Sequence, residues 1–109
     1  MNYLLTYTYN ILVIILNSIT VDDLRNLNGV NIIDIRSEEK YNDNHILDAY
    51  NIPYNKLLIS PSNYLDKNKT YYIYCQKGIT SSKICSLLNS KGYSLINIIG
   101  GYEAWILTE

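Results

Sequence analysis

Thr70-Tyr71-Tyr72-Ile73-Tyr74-Cys75-Gln76-Lys77-Gly78-Ile79-Thr80-Ser81-Ser82-Lys83-Ile84-Cys85 changes character twice. Thr70 to Tyr74 is β-branched and aromatic, the composition of a buried strand. Gln76 to Thr80 is a short loop containing a glycine. From Ser81 the apolar residues Ile84, Leu87 and Leu88 fall at helical spacing. A cysteine therefore stands at the carboxyl end of a strand, ahead of a tight loop and a helix N-terminus. In a parallel α/β sheet, that edge is where ligands bind.

Such a position favours a reactive thiol. Consecutive amides of a tight loop form a concavity for negative charge. The first turn of the next helix adds unpaired N–H groups and the positive end of its dipole. A thiolate there is stabilised against the thiol, and the cysteine pKa falls. Gly78 permits a left-handed or crowded backbone, and Lys77 brings a positive charge. Ser81 and Ser82 are expected to cap the helix, with hydroxyls that can also face an anion. On these residues alone, a buried structural cysteine fits Cys75 equally well, because free cysteine is among the most buried residue types.

The chain has 109 residues, enough for one domain with its own core. A net charge of −1 gives no electrostatic footprint for nucleic acid. Twelve tyrosines stand beside no phenylalanine, a bias ascribed to nucleotide composition. The two cysteines, Cys75 and Cys85, fit no zinc pattern, and His45 alone cannot complete a four-ligand site. The intervening segment is expected to hold the two thiols apart. Cysteine use of this kind suits a reducing compartment with one functional and one core thiol, so a cytoplasmic location is expected.

Residues 1–17 form an apolar N-terminal extension, with no charged side chain before Asp22. Ile11 to Leu16 is continuously apolar, yet short of the ~20 residues of a spanning helix. It lacks the basic start of a signal peptide. Packing on the domain, a peripheral membrane tether and a poorly ordered tail all remain open.

The remainder, 18–109, alternates strand and helix. Ser18 to Thr20 reads as a first strand, and Asp22 to Leu27 as a helix ended by Asn28-Gly29. Val30 to Ile35 is the second strand, and Ser37 caps a helix through Tyr41. A helical turn from Tyr54 to Ile59 stops at Ser60-Pro61-Ser62. Ser94 to Ile99 is the last strand, and Gly100-Gly101 opens a terminal helix in which Trp105 is expected to be the buried anchor. Alternation of this kind means a parallel sheet with helices on both faces.

Several segments resemble the rhodanese-like sulfurtransferases. Cys75-Gln76-Lys77-Gly78-Ile79-Thr80-Ser81 is similar to that family's C-x-x-G-x-R-S loop. Asp34-Ile35-Arg36 through Glu39-Lys40-Tyr41 is similar to its D-x-R…E-Y segment, and His45-Ile46 through Asn51-Ile52-Pro53 to its G-H-I-x-G-A-x-N-I-P. Gly100-Gly101 to Trp105 is similar to its G-G-x-x-x-W. Asn44 and Asp48 stand where glycine is usual; both types tolerate left-handed backbone. The resemblance covers about Ser18 to Trp105. It implies a three-layer α/β/α rhodanese-like fold whose five-stranded parallel sheet has the order 3-2-4-5-1.

The resemblance also implies a chemistry. Cys75 would take a sulfane sulfur from thiosulfate, or from a small or protein-borne persulfide or polysulfide, and pass it to a thiol or other thiophilic acceptor. No metal or organic cofactor is implied. The loop Gln76, Lys77, Gly78, Ile79, Thr80 and Ser81 would hold the anion. Asp34 and Arg36 are expected to brace the sheet edge and the loop. Thr80 replaces the family's arginine, which binds an oxyanion bidentately, so weak thiosulfate use is expected. The C-x5-R loop of related phosphatases is disfavoured by length and charge, because the count from Cys75 reaches Ser81 and the loop holds no arginine. The competing reading is a non-catalytic rhodanese-like module that binds an anion or a protein.

Overall fold

The computed structural model describes residues 17–108; the readings of the apolar run Ile11 to Leu16 lie outside the described residues. In chain order the elements are β1 (Ser18–Ile19), α1 (Val21–Leu24), β2 (Asn31–Asp34), α2 (Glu38–Asp43), β3 (Tyr50–Asn51), α3 (Tyr54–Ile59), a 3-10 turn (Pro61–Asn63), β4 (Thr70–Tyr74), α4 (Ile79–Asn89), β5 (Ser94–Ile98) and α5 (Gly101–Leu107). All strand pairs are parallel. The sheet order β1-β5-β4-β2-β3 is the expected 3-2-4-5-1 read from the other edge.

Period-two alternation sorts the strand side chains onto two faces. Ile33, Ile73 and Leu95 join Leu57 of α3 and Ile84 and Leu88 of α4 in one core cluster. Ile32, Tyr74, Ile96 and Ile98 join Val21 and Leu24 of α1 and Tyr102 of α5 in the other. Burial on both faces is why these strands read as unbroken apolar runs rather than alternating ones. Cys75 belongs to the first cluster, on the same sheet face as Ile73. Asn97 lies opposite Ile73 in the β4–β5 register.

Short polar caps set the element ends. The Thr20 hydroxyl accepts from the amide of Asp23 at 3.2 Å, and that of Ser37 accepts from Lys40 at 3.3 Å. Each satisfies one of the amides a helix start leaves unpaired. Four expectations need correction. Helix α4 starts at Ile79, with left-handed Gly78 (φ 87°) as its cap, so Ser81 and Ser82 lie inside the helix and do not cap it. Val30, Ile35 and Ile99 fall just outside their strands, although the amides of Ile35 and Ile99 still donate to the carbonyls of Tyr74 and Ile19 at 3.0 and 2.9 Å. Asp48 is left-handed (φ 66°), but Asn44 is extended (φ −168°) and donates nothing to the turn by its conformation. Trp105 is half-buried and covered by the Arg25 guanidinium, 3.6 Å from its ring centroid; the buried aromatic of α5 is Tyr102.

Candidate active site

Strand β4 ends at Tyr74, which leaves Cys75 as the first residue beyond the sheet. It is 9% exposed. The sulfur accepts from the amides of Gly78 at 3.2 Å and Ser81 at 3.3 Å, and the Ser81 hydroxyl stands 3.3 Å away. Left-handed Gly78 reverses the loop so that these amides converge instead of pointing to solvent.

The loop carbonyls are held away from the sulfur by α5. The amide of Tyr102 donates to the Cys75 carbonyl at 2.9 Å, and that of Glu103 to the Gln76 carbonyl at 3.0 Å. The unpaired donors of one helix start thus take the carbonyls of the loop that precedes another. Such contact requires glycine. A Cβ on Gly101 would collide with the Cys75 carbonyl oxygen and come within 2.8 Å of the Gly78 nitrogen.

The two cysteines are free thiols in opposite electrostatic settings. Burial pushes the Cys75 thiol up. The Ser81 hydroxyl and the amides of Ser81, Gly78 and Lys77 act against burial and prevail, leaving the pKa below the ordinary cysteine value. Cys85 has burial without such donors, and its thiol is pushed up to about 12.

Beside the loop, Asp34 (0% exposed) and Arg36 (7% exposed) form a buried ion pair at 2.7 Å. The Asp34 carboxylate also accepts from the Tyr74 hydroxyl at 2.6 Å and from the Arg36 amide at 2.8 Å. The guanidinium donates onward to the Asn44 carbonyl at 2.6 Å and the Gln76 side-chain oxygen at 3.3 Å. It lies 4.1 Å from the centroid of the Tyr102 ring, a cation–π contact. Burial works against the charged guanidinium, yet its bonds to Asp34 raise the Arg36 pKa. Burial and the Asp34 carboxylate likewise raise that of Tyr74. The network ties β2, β4, α5 and the Cys75 loop together.

Cys75 opens onto a cleft of about 640 Å³ whose walls include Ile35, Arg36, Lys40, Lys77, Ile79 and Thr80. Position 80 supplies a hydroxyl and no charge; the lysines of the cleft are Lys40 and Lys77, both exposed. Gln76 and Lys77 line the cleft, Gly78 is buried beneath it, and Ile79 and Thr80 are exposed on its rim. Ser81 is fully buried against the sulfur. His45 sits apart, its Nδ1 2.8 Å from the Tyr41 carbonyl oxygen and its ring stacked on Tyr41. Among the described residues, no three His, Cys, Asp or Glu side chains converge on a point a metal could occupy, and no helix is long and apolar enough to cross a membrane.

The sequence reading passed over three residues at the site. Lys40 is placed at the cleft by the cap at Ser37, which sets the direction of α2. Tyr74 was read only as strand. Asn97 is 8% exposed and bonds to both Ser81 and Gly78. Its signal was a polar residue within the apolar run Leu95 to Ile99, on the same face as Leu95.

The family model for the rhodanese-like domain matches residues 20–108. The chain belongs to that family. It is 33% identical over 75 residues to the thiosulfate sulfurtransferase GlpE of Coxiella burnetii, covering 68% of this chain and 69% of that protein. It is 31% identical over 74 residues to the putative sulfurtransferase YtwF of Bacillus subtilis, covering 68% and 71%. The crystal structure of a rhodanese-like domain protein from Staphylococcus aureus superposes with a TM-score of 0.73 at 35% identity, covering 81% of this chain and 89% of that one. The family of this chain thus includes sulfurtransferases.

Proposed function

We propose that the chain is a sulfurtransferase that carries sulfane sulfur on Cys75 in a reducing, cytoplasmic compartment. The observation that carries this reading is the ring of donors on a sulfur that faces an open cleft. In the first step the Cys75 thiolate attacks the outer sulfur of the donor. A new S–S bond forms, and the donor's own S–S bond breaks with its electron pair on the leaving group. Thiosulfate would release sulfite, and a persulfide would release a thiolate. In the second step an acceptor thiolate, or cyanide in an assay, takes the outer sulfur and returns Cys75 to its thiolate. Negative charge stays near one place throughout, which is what fixed amide donors stabilise.

The walls of the cleft favour persulfide or polysulfide donors. The sulfonate end of thiosulfate is best held by a planar guanidinium, and the arginine there, Arg36, is committed to Asp34. Lys40 and Lys77 offer point charges on flexible stems instead. The test is the intact mass after incubation with polysulfide, persulfide or thiosulfate. A gain of one sulfur atom, reversed by dithiothreitol and absent in Cys75→Ser, is the expected result. No adduct with any donor would leave a module that binds an anion or a partner without turnover.

A further inference from the structure

The Ser81 hydroxyl has one hydrogen and two claimants. It donates to the side-chain oxygen of Asn97 at 2.6 Å. It also stands 3.3 Å from the Cys75 sulfur, where it is the strongest of the groups that favour the thiolate. One hydrogen cannot serve both acceptors fully, and the shorter contact lies on Asn97. The amide cannot simply turn over to release it. Its nitrogen donates to the Gly78 carbonyl at 3.3 Å, and a flipped amide would set oxygen against oxygen there.

We propose that Asn97 is a positioning residue for the chemistry at Cys75: its oxygen holds the Ser81 hydrogen and yields it to the sulfur only when the sulfur is charged. In the thiol form, Cys75 can donate to Ser81, which donates to Asn97, a continuous chain that favours the proton on sulfur. In the thiolate form, the hydroxyl must turn to the sulfur and leave the Asn97 oxygen without its short bond. Asn97 therefore restrains the acidity that the loop amides create. Once a second sulfur is attached, the negative charge moves one bond outward and the hydrogen returns to Asn97. That last consequence rests on the sulfur-carrier reading of Cys75; the competition for the hydrogen does not.

Other groups around the sulfur cannot stand in for this effect. Arg36, Lys40 and Lys77 line the cleft. Cys85 lies behind on α4 and feels the Cys75 charge. From α5, Tyr102 and Glu103 meet the loop through backbone amides. Tyr74, at the end of β4, is bound to Asp34. The partners of the Asn97 side chain are Ser81 and Gly78.

The experiment is the pH profile of iodoacetamide alkylation at Cys75, measured with Cys85→Ala as the common background. Asn97→Ala should lower the midpoint by about one pH unit, the size of a hydrogen bond to a charged group. Because nucleophilicity falls along with pKa, the rate well below the midpoint should rise only about threefold. In a Ser81→Ala background the same substitution should move nothing, since Asn97 would have lost the group it acts through. Asn97→Leu keeps the forked shape of the side chain without its polar atoms and gives the same pair of results if the alanine variant folds poorly. An unchanged or raised midpoint, or an equal shift with and without the Ser81 hydroxyl, would overturn the proposal. No sulfur donor enters the measurement, so failure to form a persulfide would sink the functional reading and leave this one intact.

Discussion

Gly101 lies so close to Cys75 that its missing Cβ would occupy the space of the Cys75 carbonyl oxygen. The contact joins the first residue of α5 to the residue that bears the sulfur. Gly101 is also left-handed, at φ 58°, which costs a residue with a Cβ about 1–2 kcal/mol. Gly101→Ala should therefore lose about 2–4 kcal/mol of stability in urea unfolding, from strain and overpacking together. The displaced loop should also slow alkylation of Cys75 at neutral pH towards the rate of an ordinary cysteine. A variant with wild-type stability and reactivity would show that the backbone contact is slack.

The thiols should separate cleanly by pH. Cys75, with its folded pKa depressed, should react with iodoacetamide below the usual thiol midpoint, while Cys85 stays unmodified in the native protein. Mass spectrometry at neutral pH should show one adduct, on the Cys75 peptide. Two adducts at equal rate would refute the asymmetry.

Stability follows with opposite signs. The fold favours the Cys75 thiolate, so that contribution is present above the unfolded thiol pKa and is lost as pH falls through the folded value. The fold favours the protonated form of Cys85. Its contribution is complete below the unfolded value of about 8.5 and is lost as pH rises towards about 12. Cys85→Ala should flatten the alkaline decline in urea midpoint between those limits; an unchanged slope would assign the decline elsewhere.

Removing one partner of the buried pair should be costly. Arg36→Met would leave the Asp34 carboxylate with the Tyr74 hydroxyl and backbone for partners, a loss of about 3–5 kcal/mol. It would also release Gln76 and the Asn44 turn. Unfolding measurements should show most of that loss, and a change below about 1 kcal/mol would mean the pair does not brace the site.

Position 80 should control donor choice. Thr80→Arg places a guanidinium on the rim of the cleft, where one bidentate contact is worth about tenfold in affinity. The KM for thiosulfate in a cyanide assay should fall by about that factor, with little change for a polysulfide donor. Lys40→Ala and Lys77→Ala should act in the other direction. A Thr80→Arg variant with an unchanged thiosulfate KM would remove the missing arginine from the account.

The order of elements was readable because strands buried on both faces write themselves as apolar runs, and Gly, Asn and Pro mark the ends. The loop was readable because Cys75, Gly78 and Ser81 sit at fixed offsets. The cap of helix α4 lies three residues ahead of Ser81: Ser81 and Ser82 have the chemistry of caps without the position. Gly78, two residues before Thr80, takes that place by backbone conformation alone, and Ser81 turns inward. Asn97 and Gly101 act across the fold, through pairing register and close approach, which no local pattern records. Trp105, expected as the buried anchor, is only half-buried, whereas Tyr102 is the ring beneath Arg36.

The stitching of Tyr102 and Glu103 amides to the loop carbonyls makes the acidity of the sulfur a product of tertiary docking. A chain with its sheet formed but α5 undocked would carry an ordinary, sluggish thiol. Alkylation of Cys75 is thus expected to report that the last described helix has come home.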